Sequence, residues 1–221
     1  MKKILLPFAA ISFLIACNNA PDADTAATGE KQDAATTTGA AFAVDSTTTV
    51  TWTGSKPTGT HIGTFRVNEG SLLISDNQLT GGKFVIDINS LNNIDLAGDA
   101  ENKGKLEGHL KSPDFFDAAK FATASFEITG VEPFKADSSA TDILLKDATH
   151  TIKGNFTLKD STKNISFPAK VTIAANNVTA IADFNIDRTL WGLNYKGPNN
   201  PADWFISKTV NIKLNVSASK K

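Results

Sequence analysis

The stretch that decides the fold is TIKGNFTLKDSTKNISFPAKVTIAANNVTAIADFNID, residues 151–187. Apolar side chains occupy every second position in three successive runs, which are separated by Asp160-Ser161-Thr162 and by Asn176-Asn177. A period of two residues is typical of half-buried β-strands, and Asn and Asp tolerate the backbone angles of tight turns. Strands joined by such short turns pair in an antiparallel manner, so this stretch predicts a meander of three strands.

The same alternation continues on both sides of this stretch, and turn signals such as Asp76-Asn77 separate the runs. Eight or nine candidate strands fit into the roughly 180 residues that follow Phe42. Strands with one apolar face must cover it with a second sheet or close on themselves. We therefore predict an all-β fold with a single antiparallel eight-stranded barrel, with a two-sheet sandwich as the alternative.

One segment breaks the two-residue period. Leu106 and Leu110 are four residues apart, which predicts a short helix around residues 100–111. Ser112 and Pro113 resemble the start of a helix, which predicts a further single turn at 113–118. In this helical insert, Leu110, Phe115 and Phe116 are expected to plug one end of the barrel.

Composition excludes several classes of function. The chain has 221 residues, with 22 Lys and Arg against 23 Asp and Glu, so it lacks the positive excess of a nucleic-acid-binding protein. With one Cys and three widely spaced His, it shows neither a disulfide framework nor a metal-ligand pattern. It also carries no phosphate-binding loop and no nucleophile elbow, so we expect no metal, no cofactor and no enzymatic activity.

The N-terminal residues have the pattern of an export signal. Two lysines precede a 12-residue apolar run, Ile4–Ile15, which is too short to span a membrane. The run ends in Leu14-Ile15-Ala16-Cys17, which resembles a bacterial lipobox, in which the signal is cut before the cysteine and the cysteine is lipidated. The alternative is an ordinary signal peptide that happens to end in Cys.

This pattern predicts three segments: a signal peptide (1–16), lipidated Cys17 with a disordered tether (17–41), and the barrel domain (42–221). Residues 18–41 are rich in Ala and Thr and contain no large apolar residue, so little offsets the entropy of ordering them. The expected location is the cell envelope, with the domain anchored by its lipid and facing the periplasm. Because no Asp follows Cys17, the outer membrane is the preferred site.

Three motifs resemble the YceI-like family. They occur in the family order: His109–Asp117 with Phe121 and Ala124-Ser125-Phe126, then Gly154–Lys163, then Phe184–Gly192. The first is the most specific. The chain departs from the family where Leu106-Glu107-Gly108 replaces a charged pair, which puts contacts made by that pair in doubt.

The resemblance implies a lipocalin-like barrel in the cell envelope that binds polyisoprenoids or other long-chain amphiphiles. The residues support a hollow lumen independently, because the small side chains of Gly154, Ala169, Ala180, Ala182 and Ala124 lie among larger ones on the apolar faces. Such a void stays dry or takes an apolar guest. The alternative is that aromatic side chains fill it. The residues predicted to line the lumen are Trp52, Phe84, Ile86, Phe126, Phe156, Leu158, Phe167, Ala169, Val171, Ala180, Ala182 and Phe184.

The barrel mouth is the expected place for a ligand head group. Arg188, with Trp191 beside it, is the candidate for binding an anionic head, since a guanidinium matches phosphate geometry. Alternatively, Arg188 pairs with Asp187 or Asp183, or caps the end of a strand. His109, at the end of the predicted helix, is expected to interact with the helix dipole or a backbone carbonyl.

Two functions follow from the sequence. The first is a membrane-anchored lipoprotein that holds an isoprenoid or fatty-acid-like lipid in its lumen, as a reversible carrier or buffer. The second is a filled barrel that acts as an interaction or stress-response module of the envelope without a lipid ligand. The expected partners are the lipid and the membrane that holds acylated Cys17; nucleic acid is not expected, and a homodimer is compatible with the sequence.

Overall fold

The computed structural model describes residues 20–34, 38–135, 145–197 and 205–220. Cys17 and the predicted signal peptide lie outside them. The elements, in chain order, are β1 (Asp24–Thr25), β2 (Ala27–Glu30), β3 (Ala40–Val44), β4 (Thr49–Lys56), β5 (Gly59–Ser75), β6 (Gln78–Asn93), α1 (Ala100–Lys111), β7 (Thr123–Pro133), β8 (His150–Leu158), β9 (Ser161–Ile173), β10 (Asn177–Asp187), a 3₁₀ helix (Arg188–Trp191) and β11 (Thr209–Lys220).

Strands β4 to β11 form a closed antiparallel barrel. Each strand pairs with the next along the chain, and β11 pairs back onto β4 over Val210–Asn215. The predicted eight-stranded barrel is confirmed, and closure rules out the sandwich. At the β5–β6 turn, Asp76 and Asn77 both adopt positive φ angles, 51° and 59°, as the sequence predicted for a tight hairpin.

Strand β3 extends the position of β4 in the wall. It pairs with the same two neighbours, β5 and β11, but nearer the opposite end of the barrel. Between the two strands, Thr48 Oγ1 donates to Ser217 O and accepts from Ser217 N, both at 3.1 Å. These bonds hold the bend between β3 and β4 against β11.

The contact between β9 and β10 is incomplete. The two strands pair directly only over Lys170–Ile173 and Val178–Ile181, next to their connecting turn. Beyond that point the N-terminal residues 20–34, which we call the strap, lie between them. Strand β1 pairs with β10 in parallel, and β2 pairs with β9 in an antiparallel manner.

Residues 17–41 were predicted to form a disordered tether, and this prediction is wrong for residues 24–30, which contain strands β1 and β2. Composition correctly indicated that this segment has little apolar surface to bury, since Ala26 is its only core residue. The backbone supplies the stabilisation instead, because the strap completes the hydrogen-bonding edges that β9 and β10 leave open. Ala26 N, for example, donates to Asn185 O at 2.9 Å.

Helix α1 has the bounds that the sequence predicted. Its first turn is capped by Asp99, whose carboxylate accepts from Asn102 N at 3.1 Å. The predicted helical start at Ser112 and Pro113 is wrong: Ser112 is the C-terminal cap of α1, and residues 113–116 form a turn. Backbone bonds from Phe116 N to Leu110 O and from Ala118 N to Lys111 O fold this turn back onto the helix end.

Candidate functional site

A cavity of about 540 Å³ occupies the barrel interior. Its wall consists almost entirely of apolar side chains from the inward faces of the strands. Eleven of the twelve residues predicted to line the lumen do so, namely Trp52, Phe84, Ile86, Phe126, Phe156, Leu158, Phe167, Ala169, Ala180, Ala182 and Phe184. The interior is therefore hollow, whereas the alternative interpretation required that side chains fill it.

Val171 is the exception. It is buried, but the cavity wall ends with Ala169, two residues farther from the β9–β10 turn. Its directly paired residue on β10, Ala180, does border the cavity. Strand periodicity gives the face on which a residue lies but not the depth at which a cavity ends.

Gly154 does not leave space in the lumen, contrary to the sequence interpretation. A Cβ atom on Gly154 would lie 2.2 Å from Phe126 Cζ and 2.8 Å from Glu127 O. The ring of Phe126 occupies the place of the missing side chain. The alanines Ala124, Ala169, Ala180 and Ala182, in contrast, all border the cavity.

The aromatic side chains form a connected wall instead of a plug. Phe167 and Phe184 stack with their ring centroids 4.1 Å apart and their planes 12° apart. Phe126 contacts Phe167 at 5.8 Å, and Phe84 contacts Phe126 at 6.4 Å. Because these rings pack against one another, the space on their inner side stays open.

Trp52 covers the backbone of the neighbouring strand. A Cβ atom on Gly63 would lie 2.4 Å from its Cζ2 atom, so the indole fits only over a glycine. The indole Nε1–H is buried and has no hydrogen-bond partner among the described residues. The glycine in β5 thus allows a large apolar surface to lie flat along the lumen wall.

The helical insert lies at one end of the cavity. Leu110, Phe115 and Phe116 border the cavity as expected, and Phe116 packs edge-on against Phe65 at 5.4 Å. His109 also borders it, in edge contact with Phe115 at 5.1 Å and with Tyr195 at 4.8 Å. Its Nε2 atom lies 3.0 Å from Asp114 Oδ2, so the imidazole contacts a carboxylate in place of a backbone carbonyl. His109 does stand in the last turn of α1, where an interaction with the helix dipole was the other expectation.

Arg188 borders the cavity at the same end and is 95% buried, with 5% of its surface exposed. Its guanidinium donates four hydrogen bonds to backbone carbonyls and forms no ion pair within 4 Å with any described carboxylate. Asp187 and Asp183, its predicted alternative partners, pair with Lys208 and Lys213 instead. The acceptors are Ser207 O at 2.9 Å, Ile206 O at 2.9 Å, Tyr195 O at 3.1 Å and Leu193 O.

These contacts give Arg188 a structural role, as the alternative interpretation of the sequence had it, although its partners are loop carbonyls and not Asp187 or Asp183. The guanidinium joins two loop segments, 193–197 and 205–207, which lie together at the mouth. Burial lowers the pKa of Arg188, and the neighbouring Asp187 carboxylate opposes that effect. Four of the five N–H groups of the side chain are engaged, so its role as a head-group ligand stays a prediction.

Trp191 is fully buried. Its Nε1–H donates to Phe156 O at 3.0 Å, and its ring packs on Phe156 at 5.2 Å. The indole therefore forms part of the apolar wall. Its assignment to a head group also stays a prediction.

Sequence reasoning missed two lysines at this end. Lys56, the last residue of β4, and Lys196, in the loop after the 3₁₀ helix, both border the cavity. Neither belongs to a motif, and both stand where strand periodicity ends, so no pattern in the sequence selects them.

The described residues hold no cluster of three His, Cys, Asp or Glu side chains arranged to bind a metal ion. They also hold no helix of sufficient length and apolarity to cross a membrane.

Comparisons with known proteins agree with this architecture. A family model for the YceI-like domain matches residues 34–218. No curated protein matches the sequence.

Solved structures share the fold at low sequence identity. BcnA from Burkholderia cenocepacia superimposes with a TM-score of 0.61 at 17% identity, covering 80% of this chain and 99% of that one. A polyisoprenoid-binding domain from Saccharophagus degradans, implicated in plant cell wall breakdown, gives 0.56 at 19% identity, covering 82% and 99%. At these identities the likeness shows a common fold.

Proposed function

Because the chain belongs to the YceI-like domain family, we propose that it binds the tail of a long-chain amphiphile, of polyisoprenoid or fatty-acid type, inside its barrel. The observation that carries the proposal is the cavity of about 540 Å³ with its apolar wall. Cavities that hold small molecules measure about 300–1,000 Å³ and are mainly apolar. The similarity to a polyisoprenoid-binding domain supports the same class of ligand.

The apolar lumen selects a tail over a sugar or a nucleotide. Polar groups buried without hydrogen-bond partners cost about 1–3 kcal/mol each, and the alanines and aromatic rings of the wall offer none. A hydrocarbon tail meets no such penalty. Binding without chemical conversion is part of the proposal, and incubation of the protein with the bound lipid, followed by mass analysis of that lipid, tests it.

The proposed role is that of a reversible carrier or buffer, which exchanges its lipid with a membrane. Burial of a CH₂ group from water contributes about 0.8 kcal/mol, but a tail in a bilayer is already out of water. Transfer from bilayer to lumen is therefore close to neutral, and small differences decide the direction.

Anchoring through acylated Cys17, in the cell envelope, completes the proposal. The strap supports a short connection, because Asn185 Nδ2 donates to Pro21 O at 3.1 Å and to Ala23 O at 3.2 Å. Three residues separate Pro21 from Cys17, and the four Cα–Cα steps between them span at most about 14 Å. An acylated Cys17 would thus keep the β10 side of the barrel close to the bilayer, whereas a free 24-residue tether would not.

Native mass spectrometry of residues 18–221 tests lipid binding. This fragment retains the strap, the closed barrel and the whole described core. Protein purified from its own host is expected to carry a lipid adduct that solvent extraction releases. Ala182→Phe places a ring in the lumen and should abolish the adduct, and Ala180→Val should weaken it.

The matched control is Ile181→Phe on the same strand, because Ile181 is 47% exposed and does not border the cavity. Circular dichroism confirms that each variant folds. A wild-type protein without an adduct that also takes up no fluorescent fatty acid would contradict the proposal. So would an adduct that survives in folded Ala182→Phe.

A further inference from the structure

The wall of the barrel contains a gap between β9 and β10. Direct pairing of the two strands ends where Lys170 lies opposite Ile181. From there toward the 3₁₀ helix, residues 161–169 of β9 and 182–187 of β10 do not pair with each other, and we call this gap the slit. The strap crosses it, with β1 on the β10 side and β2 on the β9 side.

Pro168 explains why the two strands separate at this point. Ala169 O accepts from Thr149 N on the β8 side at 2.9 Å. Because the backbone groups of successive strand residues face opposite neighbours, those of Pro168 face β10. Proline has no N–H to donate there. The slit is therefore determined by the sequence of β9 and does not depend on the strap.

The strap covers the slit on the solvent side with little apolar contact. All four residues of β2, Ala27–Glu30, are exposed. Of residues 20–34, only Ala26 belongs to the hydrophobic core, and none borders the cavity. Detachment of the strap would thus expose little apolar surface to water.

Hydrogen bonds and an ion pair hold the strap in place. Besides its backbone pairing, it is bound at one end by Asn155, and Asp24 Oδ2 accepts from Leu145 N at 3.2 Å. Glu30 lies 2.8 Å from Lys163 Nζ, but the Glu30 side chain is 89% exposed. Water replaces contacts of this kind at a small net cost, and segments with few buried apolar contacts open most readily. The strap can therefore open while the core stays folded.

Behind the strap, one aromatic ring from each strand closes the slit toward the lumen. Phe167 of β9 and Phe184 of β10 both border the cavity, and their stacked rings bridge the two strands. Phe184 lies opposite Asp24 of β1 in the strand register. Only side-chain stacking joins β9 to β10 at this level, and a hydrocarbon tail between the two rings would replace the contacts that they lose.

We propose that the slit is the entrance for the tail, and that release of the strap opens it toward a bilayer. This deepens the proposed function, on which it rests, by naming the route of lipid exchange. The strap begins beside β10, where Asn185 binds the carbonyls of Pro21 and Ala23. With the proposed anchor at Cys17, this side of the barrel lies next to the bilayer. A tail that passes sideways through the slit stays in apolar surroundings instead of crossing water.

A reversible disulfide across the strap tests this route. Glu30 and Lys163 lie opposite each other in the register, at a spacing that suits a cross-strand disulfide. Oxidised Glu30→Cys/Lys163→Cys therefore fixes β2 to β9. The matched control is Thr51→Cys/Thr64→Cys, which joins the directly opposite residues of β4 and β5 away from the slit. Both pairs are introduced into the fragment described above, which lacks Cys17, the single cysteine of the chain.

The measured quantity is the rate at which a lipid leaves the protein for a membrane. Each variant is loaded with cis-parinaric acid and mixed with phosphatidylcholine vesicles that contain a nitroxide-labelled quencher. We expect the oxidised Glu30→Cys/Lys163→Cys protein to transfer the probe about tenfold more slowly than the wild type, with an affinity within about twofold, because a gate slows entry and exit alike. Reduction should restore the rate, and the control pair should leave it unchanged in both states.

Asn155→Ala tests the same route in the opposite direction. Loss of the two hydrogen bonds to the backbone of Gln32 frees one end of the strap, so transfer should become about fivefold faster. Gln32→Ala keeps these backbone contacts and should transfer the probe as the wild type does. Circular dichroism confirms that every variant folds.

The outcomes separate the entrance from lipid binding itself. If the probe binds and the fully oxidised protein transfers it at the wild-type rate, the tail uses another opening, and lipid binding stands. Slow transfer that reduction does not restore, or equal slowing by the control disulfide, would also overturn the role of the strap. If neither the probe nor a native lipid binds the wild type, both proposals fail.

Discussion

The side-chain amide of Asn155 on β8 binds the backbone of Gln32 in both directions. Its Oδ1 atom accepts from Gln32 N at 3.0 Å, and its Nδ2 atom donates to Gln32 O at 2.6 Å. The two residues are 123 positions apart in the chain. One buried asparagine thereby fixes the end of the strap on the barrel as a neighbouring strand would.

Asn155→Ala is expected to release this end of the strap. The change removes both hydrogen bonds to the backbone of Gln32, each of which contributes about 0.5–1.5 kcal/mol to the free energy of unfolding. Hydrogen exchange should accelerate over residues 24–32 and little elsewhere. Gln32→Ala is the control, because only the backbone of Gln32 takes part, and its exchange and stability should match the wild type.

Gly63→Ala is expected to destabilise the barrel by about 1–3 kcal/mol. The new Cβ atom would meet the Trp52 ring at 2.4 Å and Asn92 O at 2.8 Å, and a backbone atom cannot give way cheaply. Thermal unfolding measures the loss. Gly104→Ala in α1 should instead stabilise the protein by about 0.5–1 kcal/mol, because alanine favours a helix more than glycine does. The added Cβ atom would meet no other atom within 4 Å. Equal melting temperatures for the two variants would disprove the assigned role of Gly63.

Arg188→Lys is expected to loosen the mouth although it preserves the charge. A lysine ammonium carries three donors at one point and cannot reach four carbonyls spread over two loop segments. We expect a loss of about 2–4 kcal/mol in stability, summed over hydrogen bonds from a charged, buried donor. Exchange should rise at residues 193–197 and 205–207. Unchanged protection there would show that Arg188 does not hold the two segments together.

Stability should fall at acidic pH in part through Asp95. Burial alone would raise the pKa of Asp95, but hydrogen bonds from Ile62 N, from His61 and from Asn93 outweigh it and hold the pKa below its ordinary value of 3.8. A carboxylate with a depressed pKa contributes stability above about pH 3.8 that is lost as the pH falls through the folded-state value. Asp95→Asn should therefore be less stable at neutral pH, and its stability should depend less on pH below about 4. An unchanged pH profile in urea unfolding would contradict this.

The sequence predicted the barrel because the barrel depends on local pattern. Alternation along residues 151–187 and turn residues such as Asp76 and Asn77 determine strands and hairpins without reference to distant parts of the chain. Helix α1 was predicted for the same reason, since its cap and its leucine spacing lie within twelve residues. The two-residue period of the strands also predicted which side chains face the barrel interior.

The errors concern contacts between distant residues. Nothing in the composition of residues 20–34 indicates that Asn155 and Asn185 accept this segment as a strand. Gly154 was interpreted as empty space because the sequence pattern does not give the register between β7 and β8. In the folded chain this register brings the Phe126 ring over the glycine. The charge of Arg188 was visible, but its carbonyl partners come from loops whose approach only the folded chain defines.

The incomplete pairing of β9 and β10 has a consequence for handling the protein. A fragment that starts at Phe42 lacks the strap, and the backbone groups of Lys163–Ser166 and of Phe184–Asn185 that face the strap lose their partners. Exposed strand edges of this kind recruit further chains by β-sheet addition. We expect such a fragment to self-associate, and a synthetic peptide spanning residues 20–34 to keep it monomeric by occupying the vacant edge.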